Sequence, residues 1–114
     1  MDGSILEDVR VACNLDRNDS SFDNQLILHT NSFLFRSAQT GVGKKGFSIN
    51  GPNQLWSDFI DTNFEEFEAV KSYIGLRVLL VFDPPQNSAV IELLKSTVKE
   101  LEWTLYAEAD AAEA

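Results

Sequence analysis

Residues 41–46 read GVGKKG and match the G-x-G-x-x-G pattern that binds the pyrophosphate of dinucleotides. Asp61 even lies about 20 residues further on, where an acid would bind a ribose hydroxyl. A dinucleotide site, however, needs a strand before the glycines and a helix after them. Here a helical pattern comes first and the short run FSI at 47–49 follows. The sequence therefore predicts a glycine loop with two exposed lysines, Lys44 and Lys45, and no bound cofactor.

Other residue types that do chemistry are isolated. His29 is the only histidine and Cys13 the only cysteine, whereas a metal site or a catalytic triad needs several partners. We expect His29 to be a partly buried, hydrogen-bonded helix residue and Cys13 to be a small core residue. Two acid pairs suit helix starts and surface better than acid–base catalysis; they are Glu65 with Glu66 and Asp58 with Asp61. The sequence predicts no catalytic residue, no metal site and no enzyme.

Composition narrows the class of protein further. A chain of 114 residues with 44% hydrophobic residues is long enough for one domain with a core. A single cysteine excludes an internal disulfide, and the apolar runs are too short to span a membrane. The net charge of −9 argues against direct binding to nucleic acid, which needs clustered lysine and arginine. It leaves two interpretations, a solvated acidic surface or an acidic face presented to a basic partner.

The pattern of apolar residues predicts helices. Three starts carry a Ser or Thr followed three residues later by an acid, as in a capping box; they are Ser4 with Glu7, Ser20 with Asp23 and Thr62 with Glu65. They would open helices over residues 5–13, 21–40 and 65–82. Between the last two, segment 41–54 is rich in glycine and predicts a loop or a short β-hairpin through Phe47, followed by a short helix over 55–60.

The helix predicted over 65–82 is apolar on every side, so other helices must surround it. Pro84 and Pro85 end it, because proline lacks an N–H and restricts the residue before it. Asn87 or Ser88 then caps a last helix. The resulting fold class is mainly α, a small bundle of four to five helices. We expect one domain over 1–106 and an acidic tail over 107–114.

Large apolar residues occur on the sides of two helices that should face away from the core. In the second helix the core face carries Leu26, Ile27, Thr30, Phe33, Leu34 and Ser37. Leu28 and Phe35 lie nearly opposite that face at 100° per residue. In the last helix the core stripe carries Val90, Leu94, Val98, Leu101 and Leu105, and Trp103 lies opposite with Tyr106 near it. Paired exposed apolar residues are typical of interfaces. The alternative is that both helices are covered on two sides within one monomer.

Short runs along most of the chain resemble the small head–tail connector proteins of tailed bacteriophages, also called adaptor or head-completion proteins. The runs are LEDV at 6–9, SFD at 21–23, LILH at 26–29, NS at 31–32, GVG at 41–43, GFSI at 46–49, WSDF at 56–59, EAVKSY at 68–73, LVFDPP at 80–85 with Ser88, and KELEW at 99–103. The FDPP hinge and the ELEW run near the end are the firmest. Their order along the chain carries the resemblance more than any single run.

The resemblance implies a mainly helical structural protein without enzyme activity or cofactor. It implies a ring of identical subunits, expected to be a dodecamer, in the virion neck. That ring would sit beneath the portal protein, with a stopper or tail-completion protein below, and DNA would only pass through its channel. Assembly is expected in the host cytoplasm, with no membrane partner. An acidic channel would not hold DNA during ejection.

Three sets of residues are expected to make these contacts. Leu28 and Phe35 would lie between subunits. Lys44, Lys45 and Phe47 would project from an exposed loop toward the tail side or the channel. The portal-binding set is Trp103, Tyr106, Glu108, Asp110 and Glu113, because aromatic anchors followed by acids suit a basic cleft. The alternative function is a small acidic inhibitor of a host protein, of the DNA-mimic type, which predicts a monomer or dimer.

Overall fold

The computed structural model describes residues 3–61 and 63–113, except the side chains of residues 108 and 110–113. This part of the chain holds five helices: α1 (Ile5–Ala12), α2 (Asp23–Gln39), α3 (Trp56–Phe59), α4 (Phe67–Phe82) and α5 (Ser88–Glu113). No strand is found in it, apart from an isolated antiparallel bridge between Ser4 and Leu55. The predicted mainly helical fold is confirmed.

Helix α1 begins as its sequence predicts. The Ser4 hydroxyl accepts a hydrogen bond from the Glu7 N–H at 3.2 Å, which satisfies one of the free N–H groups of the first turn. Ile5, Leu6 and Val9 are fully buried beneath it, and Cys13 joins them just after the helix ends. The predicted core position of Cys13 is confirmed.

Helix α2 begins at Asp23, two residues later than predicted, and the capping box at Ser20 is wrong. Phe22 takes the capping position without a side-chain hydrogen bond. The Asp23 carboxylate instead accepts hydrogen bonds from Arg10 Nε at 3.0 Å and from Arg10 Nη2 at 2.7 Å. This charged pair joins α1 to the start of α2. It outweighs the local cap because hydrogen bonds between charged groups are about twice as strong as neutral ones.

Helix α4 is the centre of the bundle and packs against α1, α2 and α5. Val70, Ile74 and Val78 are fully buried, so the prediction that other helices surround it is confirmed. Gly75 lets α1 approach closely, since a Cβ there would lie 2.9 Å from the Ala12 Cβ. The helix begins at Phe67 rather than at residue 65, and Glu66 precedes it without a side-chain cap. The cap predicted at Thr62 lies outside the described residues.

The short helix α3 brings a tryptophan under α1. Trp56 and Phe59 are buried, while Leu55 just before the helix is exposed. Trp56 Nε1 donates a hydrogen bond to Asp8 Oδ2 at 2.8 Å. The buried indole N–H therefore has its partner, as amphipathic aromatic residues require in a core.

The hinge and the cap of α5 agree with the sequence. Helix α4 ends at Phe82, and Asn87 Oδ1 accepts hydrogen bonds from the Ala89 N–H at 2.8 Å and the Val90 N–H at 3.3 Å. Val90 was predicted in the core stripe of α5, and this is wrong because it is exposed. The fully buried side chains of α5 begin at Val98, whereas Ile91 and Leu94 nearer the hinge are half-buried.

Helix α5 is the longest of the five described helices and continues through Glu113. Leu105 and Ala109 are both buried. Helix α5 therefore packs on the bundle at least as far as Ala109.

Segment 40–55 forms turns and bends, and the β-hairpin considered for it is not found. The Asn31 side chain forms the hydrogen bonds that a neighbouring strand would otherwise make. Its Oδ1 accepts from the Ile49 N–H at 2.7 Å, and its Nδ2 donates to the Ile49 carbonyl at 3.0 Å. Because α2 satisfies both backbone groups of Ile49, no second strand is needed.

Candidate functional site

The glycine-rich run at residues 41–46 packs against helix α3. It follows α2 and precedes an irregular segment, so no helix N-terminus faces it. Gly43 has a φ of +98°, and a Cβ there would overlap the ring of Phe59. The Lys44 N–H also donates to the Phe59 carbonyl at 2.8 Å. Gly43 therefore allows both the turn and the close contact with Phe59 of α3.

The segment around the two lysines is anchored at both ends. Val42 and Ile49 are buried, whereas Lys44 and Lys45 are exposed. Phe47 is half-buried, with its ring centroid 5.4 Å from that of Phe59. Two apolar residues thus fix the segment to the core, and its two lysines form a short exposed tip.

The isolated titratable residues form no site among the described residues. His29 is half-buried, and its expected hydrogen bond is not found there. Burial, with a smaller effect of the Asp83 charge, raises the pKa of the Cys13 thiol to about 11. Asp58 accepts from the Leu55 N–H and Asp61 from the Asn63 N–H, so both serve local turns. No group of three or more His, Cys, Asp or Glu residues in this part could hold a metal ion.

The outer face of α2 is apolar and uncovered within the monomer. Leu28 is 69% exposed and Phe35 61% exposed. Leu26, Thr30 and Leu34 are buried on the opposite face. The two side chains are thus outside the core of their own subunit, where a partner could contact them.

The outer face of α5 carries a similar pair. Trp103 is 75% exposed and Tyr106 is also exposed, while Leu105 between them points into the core. The other residues predicted to bind the portal are Glu108, Asp110 and Glu113. They lie on α5, and their side chains are outside the described part of the structure. The structure therefore places two aromatic rings on one exposed side of the last helix.

A polar cluster that the sequence analysis missed joins α2, α4 and α5. The Tyr73 hydroxyl donates to Glu102 Oε2 at 2.8 Å, and Arg77 Nη2 donates to the same oxygen at 3.2 Å. The Arg77 guanidinium lies 4.9 Å from the ring centroid of Phe33 on α2. Burial, followed by the Glu102 carboxylate, raises the pKa of Tyr73. The spacing of Tyr73 and Arg77, one helical turn apart, was the available signal.

Beside this cluster lies a groove of about 370 Å³ between α4 and α5, which the sequence analysis also missed. Its lining combines three bases, one acid and two apolar residues: Arg77, Lys95, Lys99, Glu102, Leu80 and Val98. Lys95 and Lys99 are four residues apart on α5 and so lie on one face. We refer to this feature as the α4–α5 groove.

These features define a small helical protein whose conspicuous surfaces are exposed aromatic and aliphatic patches, with no cluster for chemistry in the described residues. None of the helices described is long and apolar enough to cross a membrane. The family model described as "Phage connector protein" matches residues 5–112. The chain therefore belongs to the phage connector family. It is a structural phage protein, and the family associates with portal and tail proteins in the neck of the virion. Searches of curated proteins and of solved structures gave no significant match.

Proposed function

We propose that copies of this chain form a closed ring between the portal and the tail or stopper, which completes the head and continues the DNA channel. The family match over residues 5–112 carries the proposal. A ring of identical subunits needs two different contact surfaces on each copy. Leu28 and Phe35 on α2 are suited to the contact between subunits, because large exposed apolar residues mark interfaces.

The outer side of α5 is the proposed portal anchor. Trp103 and Tyr106 are exposed aromatic residues on a long helix. Tryptophan and tyrosine often contribute most of the binding free energy at protein–protein interfaces. The acids that follow, Glu108, Asp110 and Glu113, would be steered toward a basic cleft.

The basic tip with Lys44 and Lys45 is proposed to face the tail side or the channel, beside Phe47. Its two buried anchors would hold the tip in place while the lysines remain free to contact a component. The net charge of −9 fits a channel wall that DNA passes without binding tightly.

The test combines the purified protein with the portal protein of the same phage. Electron microscopy and native mass measurement should show a ring stacked on the portal. A matched control uses the portal alone and the connector alone, which separates spontaneous ring formation from ring formation on the portal. If the chain stays a monomer or dimer and does not bind the portal, the ring proposal is wrong and the acidic-inhibitor alternative gains ground.

A further inference from the structure

The α4–α5 groove concentrates positive charge in a strongly acidic chain. Three of the nine bases line it, against a single acid, in a chain with a net charge of −9. Arg77 and Glu102 neutralise each other at 3.2 Å. Lys99 forms no ion pair with any described residue. Lys95 has only an exposed pair with Glu92 at 3.9 Å, which contributes little. The groove therefore offers two lysines to an outside acidic group.

The floor of the groove is apolar. Leu80 and Val98 line it from α4 and α5, respectively. Displacing water from these apolar side chains is favourable, so an apolar group of a partner should bind there. A fitting partner should combine carboxylates with an apolar side chain.

The start of α4 has this combined chemistry. Residues 63–68 carry three acids and no base. Glu65 is exposed, and the Glu68 side chain is 82% exposed although it lies 3.8 Å from Lys71. Phe64 and Phe67 lie beside these acids and are half-buried, so part of each ring is available for contact.

One copy cannot bring these two surfaces together. Glu68 and Arg77 are on the same straight element, nine residues apart, which separates them by about 14 Å along the helix axis. We propose that the α4–α5 groove receives the acidic start of α4 from a second copy of the chain, head to tail. This inference rests on the proposed ring, because a head-to-tail contact uses two different surfaces and can close into a ring.

The two sides of the proposed contact carry opposite charges. Lys95 and Lys99 on one copy would face Glu65 and Glu68 on the next, while Phe64 or Phe67 would cover Leu80 and Val98. Complementary charge mainly fixes register, and like charges in the same places repel and so exclude wrong pairings. Such a contact would fix the orientation of each subunit relative to the next, while the apolar face of α2 adds contact area.

Charge exchange tests this arrangement. Lys99→Glu and Glu65→Lys should each raise the dissociation constant between copies by at least about tenfold, measured by sedimentation and native mass in low salt. A chain with both substitutions should regain assembly to within about threefold, because the exchanged charges face each other again. Lys44→Glu makes the same charge change on the exposed loop tip and should leave the subunit contact unchanged. Equal melting temperatures by circular dichroism would show that every variant folds.

Zero-length carbodiimide cross-linking provides an independent readout. In a mixture of unlabelled and isotope-labelled wild-type protein, mass spectrometry should find mixed-label links from Lys95 or Lys99 to Glu65 or Glu68. Assembly by Lys99→Glu as tight as wild type, or absence of rescue in the double variant, would overturn the proposal. A two-fold dimer as the final assembly would also overturn the proposal. Cross-links from these lysines mainly to Glu108, Asp110 or Glu113 would overturn it as well.

The same variants separate this inference from the proposed function. If Lys99→Glu forms complete rings on the portal, the groove contact is wrong and the connector ring stands. If the wild-type chain forms no ring with or without the portal, the proposed function fails and the groove contact fails with it.

Discussion

The ring of Phe59 fills the space that a side chain at Gly43 would occupy. Gly43 has a φ of +98°, which L residues other than glycine rarely adopt. Two independent constraints thus act at one position, a left-handed backbone and contact with the ring of a buried residue. Through them the loop after α2 is fixed against α3.

Gly43→Ala should therefore destabilise the protein by about 2–4 kcal/mol, from the left-handed backbone and the overlap with Phe59 together. Chemical denaturation of the monomer measures this. Gly46→Ala is a matched control, since φ is +81° there and no atom lies within 4 Å of the added Cβ. It should cost only about 1–2 kcal/mol. Equal losses at the two positions would contradict the importance of the Phe59 contact.

The pair between Arg10 and Asp23 gives a second prediction. Arg10 is 5% exposed, and its Nη1 also donates to the Arg17 carbonyl at 2.8 Å. Arg10→Met should cost about 2–4 kcal/mol, because it leaves the partly buried Asp23 carboxylate without its partner. Arg17→Met removes an exposed arginine of the same region and should cost less than about 1 kcal/mol.

Adding Asp23→Asn to Arg10→Met should recover part of the lost stability, since the uncompensated charge is then removed. Urea unfolding of the single and double variants provides the comparison. A double variant less stable than Arg10→Met would show that Asp23 stabilises α2 independently of Arg10.

Cys13 gives a prediction for alkaline pH. Its pKa is raised from 9.0 to about 11 in the folded protein, chiefly by burial. The thiol of the unfolded chain therefore ionises first as the pH rises. The contribution of Cys13 to stability is complete below pH 9.0 and is lost as the pH rises toward about 11. The loss should reach up to about 2 kcal/mol.

The measurement compares urea unfolding of the wild type and Cys13→Ala across that pH range. Other groups also titrate there, so the difference between the two proteins isolates the thiol. Cys13→Ala should lose less stability than the wild type between pH 9.0 and about 11. Parallel pH curves would mean that the thiol is accessible to water in the folded protein.

Features that depend on a few neighbouring residues were predictable from the sequence. The Ser4 cap, the proline hinge and the central position of α4 follow from local hydrogen bonding, proline geometry and apolar pattern. The start of α2 was not predictable, because it depends on the hydrogen bonds between Asp23 and Arg10, which lies on another helix. The α4–α5 groove was missed for the same reason. Arg77 and Lys99 approach each other only after two helices pack.

Phe35→Asp tests the apolar face of α2. Its side chain is exposed in the monomer, so monomer stability should change by less than about 0.5 kcal/mol. Ring formation should weaken strongly, because an unpaired charge would enter an apolar contact. Gln39→Asp introduces the same charge at another exposed position of α2 and should leave the ring intact. Native mass measurement detects the difference, and equal assembly of both variants would place the subunit contact elsewhere.

The α5 anchor is best tested by side-chain removal, because truncation after Leu101 would also delete the buried residues Leu105 and Ala109. Trp103→Ala should leave folding unchanged, since the ring is 75% exposed, and should weaken portal binding by at least about 2 kcal/mol if Trp103 is an interface anchor. Leu93→Ala removes an apolar residue that is 65% exposed in the first half of the same helix and serves as the control.

Removing the residues after Ala109 then tests the acidic end while keeping the buried residues Leu105 and Ala109. Losing Asp110 and Glu113 should lower portal affinity most at low salt, because screening weakens charge attraction as ionic strength rises. Binding measured on immobilised portal at two salt concentrations separates this effect from the loss of the aromatic anchor. If Trp103→Ala and the shortened chain both bind the portal with wild-type affinity, the contact with the portal lies on another face of the ring.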